Sequence, residues 1–410
     1  MRGIESDREL AIQNANPFEV ETALYSKEHL LGDIVATVAV PDFYHIALPN
    51  VGHQIIEYQI NQLESFYAYR CYLKGDYSLL REESRLPDIV FLSMSYEGSY
   101  IRALRILDLL GIRALAGSRS ASDPLVVVGG RAVSINPLPF FEIADIIGVG
   151  DGEETVQSIC QAYKSSGGDK KKLADEIVNE NGVIVTARYR VVTRAGYLER
   201  WEADRAPAEI LPNRGKSFPH SWYLSSETDY NEIGYYEKKT FFSMEIVKAC
   251  ASKCLFCAAG YNDGTVRFTN DSQNIVKLGK WAKRQGADLI KLFFPANSSL
   301  KTTKGILRAL LNAGLQARVG SAKAERIDRE YIELVARAGQ EKLAIAPETG
   351  DYRLRARLGK PGMTDKILAE VVKNVVACGI PNLDFYLIMN LPGEKSDSFT
   401  KTVDFIESFL

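Results

Sequence analysis

Apolar residues along the chain come in short, nearly unbroken runs separated by stretches of helical spacing. The runs DIVATVAVP (Asp33–Pro41), DIVFLSMSY (Asp88–Tyr96), PLVVVGG (Pro124–Gly130) and DIIGVGD (Asp145–Asp151) show little polar alternation. A strand without a polar side is one buried on both faces, so these runs predict a parallel sheet with helices above and below. Between them, Val51, Ile55, Tyr58 and Gln59 recur about one turn apart over Val51–Phe66. Tyr100–Leu110 is helical by the same test and is stopped by Gly111. A short strand is expected at Arg70–Leu73, and Asp151-Gly152-Glu153-Glu154 opens a helix with the acids its N-terminus favours. This alternation predicts a doubly wound α/β domain over residues 33–165, preceded by a polar segment (1–32) that reads as an arm or a peripheral helix.

The pattern changes after Tyr163. KSSGGDKKK is a connector whose lysines, Lys170 to Lys172, are expected on a solvated surface. GVIVTARYRVVTRAGYLERW alternates polar and apolar residues about Arg194-Ala195-Gly196, the mark of a β-hairpin. The proline-containing stretch APAEILPNRGKSFPHSW is expected to be irregular, so residues 166–240 read as a linker carrying a hairpin. From Phe241 the strand–helix alternation resumes, with strands at FFSMEIVKA, ADLIKLFF, LQARVG, EKLAIAP and NLDFYLIMN. Five such units lie in residues 241–410, where a full eightfold barrel takes about 250 residues. A partial TIM-type (β/α) barrel fits. It is expected to be truncated after the fifth unit, because Leu410 falls inside an amphipathic helix with no stop signal. A fifth strand with an unpaired edge and uncovered apolar surface would make the chain poorly soluble unless a partner or a longer natural chain covers it.

Composition narrows the function. The 410 residues carry 50 Lys+Arg against 52 Asp+Glu, a balance that argues against a generic polyanion binder, so nucleic acid is not indicated. With 46% hydrophobic residues and 10% aromatics the chain can bury two or three cores and is not a disordered segment. No apolar run reaches the ~20 residues of a membrane span, and the start is polar and acidic, so a cytoplasmic protein is expected.

Cysteine placement carries the chemistry. Cys71, Cys160 and Cys378 stand alone, whereas Cys250, Cys254 and Cys257 share one short segment directly after the first strand of the second domain. Loops after barrel strands form the active-site rim. Three thiolates there can hold three irons of a 4Fe–4S cube and leave the fourth iron open. A structural zinc site would want a fourth Cys or His, and an electron-transfer cluster a fourth Cys. The four histidines, His29, His45, His53 and His220, all precede the barrel segment, and Cys378 falls in a predicted helix, where it reads as a small buried hydrophobe.

The C-x3-C-x2-C spacing, with Phe256 directly before the last Cys, resembles the radical SAM superfamily. The resemblance implies that S-adenosylmethionine chelates the open iron through its amino and carboxylate groups. It also implies that an electron from the reduced cluster cleaves the sulfonium to release a 5′-deoxyadenosyl radical. A reductase or a flavodoxin or ferredoxin would then supply that electron. Later segments match in order. Glu348 and Arg353, in APETGDYRLR, are similar to the fourth-strand residues near the cofactor, and Asn390, in NLPGE, to the segment bordering the adenine. Ser321 and Lys323 fall where contacts to the methionyl part are expected. After the second strand, where the family often has Gly-Gly-Glu, this chain has Phe294-Pro295-Ala296-Asn297-Ser298.

The first domain resembles the cobalamin-binding domain of one radical SAM subgroup, in PDFYHIALPNVG, SMSYEGSY and VVVGG. Ser93 and Ser95 would face the nucleotide tail, and Gly129 and Gly130 would let a flat ligand approach the backbone. The Asp-x-His-x-x-Gly that ligates cobalt is absent: Pro49 stands at the His position, and neither His45 nor His53 has the spacing. These resemblances imply a radical SAM enzyme, with cobalamin-dependent methyl transfer or rearrangement as its outcome. The alternatives are an iron–sulfur electron-transfer or redox-sensing module and a zinc-stabilised nucleotide-binding protein. The substrate is not legible.

Overall fold

The computed structural model describes residues 21–47, 50–81, 83–215, 220–230, 236–262, 265–268, 271–294, 299–395 and 397–409. The chain forms two compact units, Met1–Ser217 with Ser221–Tyr223, and Phe218–His220 with Leu224–Leu410.

In the first unit the apolar runs become strands: β1 (Ile34–Phe43), β2 (Phe66–Leu73), β3 (Leu79–Arg81), β4 (Ile89–Ser93), β5 (Leu125–Gly129), β6 (Ile146–Gly148) and β7 (Val183–Val185). They form one sheet in the order β3-β2-β1-β4-β5-β6-β7. β1 pairs in parallel with both β2 and β4, and β5 and β6 continue the parallel run, while β3 and β7 close the two edges antiparallel. Helices α1 (Gly52–Asn61), α2 (Tyr100–Leu109), α3 (Gly152–Ser165) and α4 (Lys170–Ile177) connect them. Two separate buried clusters account for the absence of polar positions in the strands. One packs Val90, Leu92, Val126 and Val128 with Ile106 and Leu107 of α2; the other packs Ala36, Val38, Phe91 and Val127 with Val156 and Ile159 of α3.

The expected connector is not a connector throughout. α4 and β7 belong to the first unit's layers, and that unit runs to Ser217. Lys170 also departs from a freely solvated surface: it is half-buried, donates to the Pro124 carbonyl at 3.1 Å and lies 3.6 Å from Asp145. Burial lowers its pKa. The hairpin is present as β8 (Tyr189–Arg194) and β9 (Tyr197–Ala203), turning at Ala195-Gly196.

His53, on α1, is fully buried edge-on to Tyr72, and neither ring nitrogen has a hydrogen-bond partner. Desolvation, and secondarily the Arg70 guanidinium, hold its pKa well below the usual histidine value. Folded His53 therefore stays neutral while the unfolded chain takes up a proton below pH ~6.5. This residue's contribution to stability is complete above that pH and falls by about 1.4 kcal/mol for each unit below it. Urea unfolding at pH 7 and 5.5 should show His53→Leu losing less stability on acidification than the parent.

The second unit contains most of β10 (His220–Tyr230, of which Ser221–Tyr223 falls to the first unit), β11 (Tyr236–Glu245), α5 (Ser272–Arg284), β12 (Leu289–Phe293), α6 (Leu300–Asn312), β13 (Ala317–Val319), α7 (Arg329–Arg337), β14 (Lys342–Glu348), α8 (Tyr352–Arg357), α9 (Asp365–Ala377), β15 (Asn382–Leu387) and α10 (Ser398–Glu407). β11, β12 and β13 are parallel neighbours, the bridge Ala322–Ile345 carries the sheet on to β14, and β14 pairs in parallel with β15. These are the five strands expected from the sequence. β10 is an addition: it pairs antiparallel to β11, with Leu224 opposite Phe242 and Ser225 opposite Phe241. β15 has one strand neighbour among the described residues, and Tyr386, Met389 and Phe399 in and beyond it are exposed. No helix of the described residues is long and apolar enough to cross a membrane.

Candidate functional site

β11 ends at Glu245, and Ala249 then takes a left-handed backbone (φ 67°) that swings the chain into the cysteine loop. Cys250 and Cys254 are buried, Cys257 is half-buried, and all three are free thiols. The Ser252 amide donates to Cys250 Sγ at 3.4 Å.

The loop is clamped by the turn that follows α8. Leu255 N–H donates to the Leu358 carbonyl at 3.0 Å. Gly359, at φ +92°, lies so close that a Cβ there would meet the Lys253 carbonyl at 2.6 Å and Cys254 Cα at 3.2 Å. Only glycine meets both demands, a left-handed backbone and a missing side chain. On the other side Tyr261 donates to the Lys253 carbonyl at 3.0 Å, and Lys253 Nζ bonds the Gly260 carbonyl.

The same turn joins this loop to the carboxyl end of β14. Lys360 is buried; its Nζ donates to Glu348 Oε1 at 2.5 Å and to the Ala346 carbonyl at 2.6 Å, and it stands 5.5 Å from the centre of the Phe256 ring. Glu348 is also buried and has a left-handed backbone (φ 66°), a conformation that costs a non-glycine residue about 1–2 kcal/mol and persists only where neighbours impose it. Asn390, after β15, is left-handed too (φ 60°) and exposed.

The structure thus brings Cys250, Cys254, Cys257, Phe256 and Glu348 together. Ser321, half-buried, and Lys323, buried with Nζ 3.5 Å from Glu325, follow β13. Residues 295–298, where the sequence departs from Gly-Gly-Glu, lie outside the described residues.

Arg353 is exposed on α8, and the buried arginine is Arg355. Arg355 donates to the carbonyls of Thr349, Gly350 and Met363, pairs with Asp365 at 2.8 Å and faces the Phe405 ring. Leu354 and Leu358 mark the buried face of α8, and position 355 shares it whereas 353 does not. Lys360 left no comparable mark in the sequence.

In the first unit the chain turns from one side of the sheet to the other between β1 and β4, the position where open α/β sheets bind ligands. Ser93 ends β4 half-buried; Ser95 is exposed and accepts a hydrogen bond from Asn50 across this crevice. Gly130 has a different role from the one expected. At φ +108° its bare Cα is occupied by the Met94 carbonyl, which a Cβ would meet at 2.5 Å, whereas a Cβ on Gly129 would meet only the Gly148 carbonyl, at 3.7 Å. Of the two, Gly129 leaves the space. Pro49 and the His45 side chain lie outside the described residues, and His53 is in the core.

The donor set fits three corners of an iron–sulfur cube: three free thiols on one loop, each able to bind a different iron. Beside the thiols, the Ser252 hydroxyl is buried with no hydrogen-bond partner, an unmet donor that cluster sulfur would accept.

Comparison with known proteins agrees with this geometry. No curated protein matches the chain. TsrM, a radical S-adenosylmethionine methyltransferase from Kitasatospora setae solved with cobalamin and a [4Fe-4S] cluster, superposes with a TM-score of 0.61 at 16% identity, over 92% of this chain and 70% of that one. OxsB, a cobalamin-dependent S-adenosylmethionine radical enzyme solved with aqua-cobalamin and S-adenosylmethionine, gives 0.59 at 17% identity, over 92% of this chain and 52% of that one; this chain spans about half its length. At such identities the likeness is one of fold. Family models decide the membership: that of radical SAM proteins, N-terminal, matches residues 52–185, and that of the radical SAM superfamily matches residues 244–406, across the cysteine loop and Glu348. With both halves matched in this order, the chain belongs to the radical SAM superfamily, a membership that implies a 4Fe–4S cluster and S-adenosylmethionine as cofactors.

Proposed function

We propose that the protein cleaves S-adenosylmethionine reductively at a cluster held by Cys250, Cys254 and Cys257, and that its first unit binds cobalamin for methyl transfer or rearrangement on a substrate still to be found. The observation that carries this is the set of three free thiols on one clamped loop at the carboxyl end of β11. When bound, the cluster supplies the electron that breaks the sulfonium bond. Phe256 and Glu348 would border the cofactor, with Ser321 and Lys323 toward its methionyl end and Asn390 toward its adenine. The first unit's crevice, from Asn50 and Ser95 to Gly129, would take the cobalamin tail. A flavodoxin, ferredoxin or reductase would deliver the electron in the cytoplasm.

The test is anaerobic reconstitution with iron, sulfide and hydroxocobalamin, followed by desalting and metal analysis. About four irons and one cobalt per chain, with 5′-deoxyadenosine formed on reduction in the presence of S-adenosylmethionine, are expected. Four irons without cobalt would remove the cobalamin half of the proposal. No iron would remove the whole.

A further inference from the structure

We infer that Lys360 is a positioning residue for S-adenosylmethionine: its ammonium fixes the Glu348 side chain at the rim and ties it to the cysteine loop, so that Lys360 affects cofactor affinity only through Glu348. The inference rests on the reading of the site given under Proposed function.

Three observations carry it. The pair is almost dry, with the Lys360 and Glu348 side chains 4% and 7% exposed. A carboxylate buried to that degree needs a polar partner. Lys360 supplies one by a 2.5 Å contact to Oε1, leaving the second oxygen to receive an O–H or N–H of a ligand. Second, Lys360 is itself fixed, by the Ala346 carbonyl at 2.6 Å and by the turn that clamps the cysteine loop through Leu358 and Gly359. Third, Glu348 has a left-handed backbone of the kind that persists only where neighbours impose it, with its carbonyl held by the Ile388 N–H at 2.8 Å and its carboxylate by Lys360. One ammonium therefore registers the carboxylate against Phe256 and the thiols, a coupling that a salt bridge remote from the cysteine loop would not provide.

A double-mutant cycle tests this. The parent, Lys360→Met, Glu348→Gln and the double variant are reconstituted with iron and sulfide and analysed for iron. The S-adenosylmethionine dissociation constant is then read from the change in the EPR spectrum of the reduced cluster. At matched iron content, Lys360→Met should weaken binding about tenfold. Glu348→Gln should weaken it by at least as much, the double variant should be no worse than Glu348→Gln, and Lys360→Arg should restore most of the affinity. An unchanged dissociation constant in Lys360→Met, or losses that add in the double variant, would overturn the inference. If Lys360→Met alone does not fold, the double variant, which removes both charges, is compared with Glu348→Gln: equal affinities support the inference and a further loss defeats it. A parent protein that binds no iron overturns the reading of the site and this inference with it. A parent that binds cofactor while Lys360→Met binds equally well overturns the inference alone.

Discussion

Cys254→Ala is expected to drop from about four irons per chain to a small residual fraction after anaerobic reconstitution, and to form no detectable 5′-deoxyadenosine. The thiol is buried in the middle of the loop, and the two remaining cysteines cannot hold three corners of a cube. The fold should survive, because the clamp on this loop runs from the Leu255 N–H to the Leu358 carbonyl and from the Tyr261 hydroxyl to the Lys253 carbonyl, and neither contact involves the sulfur. Far-ultraviolet circular dichroism should therefore be unchanged while iron is lost. Cys378→Ala is the control. That thiol lies at the end of α9, raised in pKa by desolvation, and its loss should leave iron untouched. Loss of iron in both variants, or in neither, would contradict the ligand assignment.

Arg355→Leu is expected to cost about 3–5 kcal/mol of stability, the scale set by breaking a buried charged hydrogen-bond network. The guanidinium is fully buried, yet its carboxylate partner, Asp365, is 62% exposed, so the ion pair itself is worth little. The cost comes from the carbonyls of Thr349, Gly350 and Met363, which lose their donors in a place that no leucine can serve. Lysine, with a point charge in place of a planar fork, should recover only a minor part. Urea unfolding measures both variants. Thr349 and Gly350 directly follow Glu348, so cofactor affinity should fall as well, and an Arg355→Leu protein of parental stability would show that these contacts carry no load.

Much of the architecture was legible because burial on both faces leaves a direct trace in sequence. Runs such as PLVVVGG and DIVFLSMSY have no polar alternation, and each is a parallel strand between two apolar clusters. The cysteine spacing was legible for a related reason: three ligands on one loop are local in the chain, and their chemistry depends on residue type more than on distant packing. Strands β7 and β10 were the exception: both lie in the stretch that read as linker, and each takes its place from antiparallel pairing, β7 with β6 and β10 with β11, partners that the local sequence does not reveal.

Side-chain roles at the rim were decided later, by contacts between segments far apart in the chain. Arg353 and Arg355 are chemically identical and two positions apart; helix rotation puts one in water and the other under the Thr349 and Gly350 carbonyls. Gly130 could have opened space for a ligand, but the Met94 carbonyl occupies it. Lys360 has no local signal, and it matters because Glu348, Phe256 and the cysteine loop converge on it. The sequence alone determined which residues have the chemistry to hold a cluster and which runs must be buried, since ligand type and apolar periodicity are properties of the chain itself. Only the tertiary structure decided which charges are partnered, which glycine is open and what clamps the cysteine loop, because each of those depends on a neighbour that folding brings into contact.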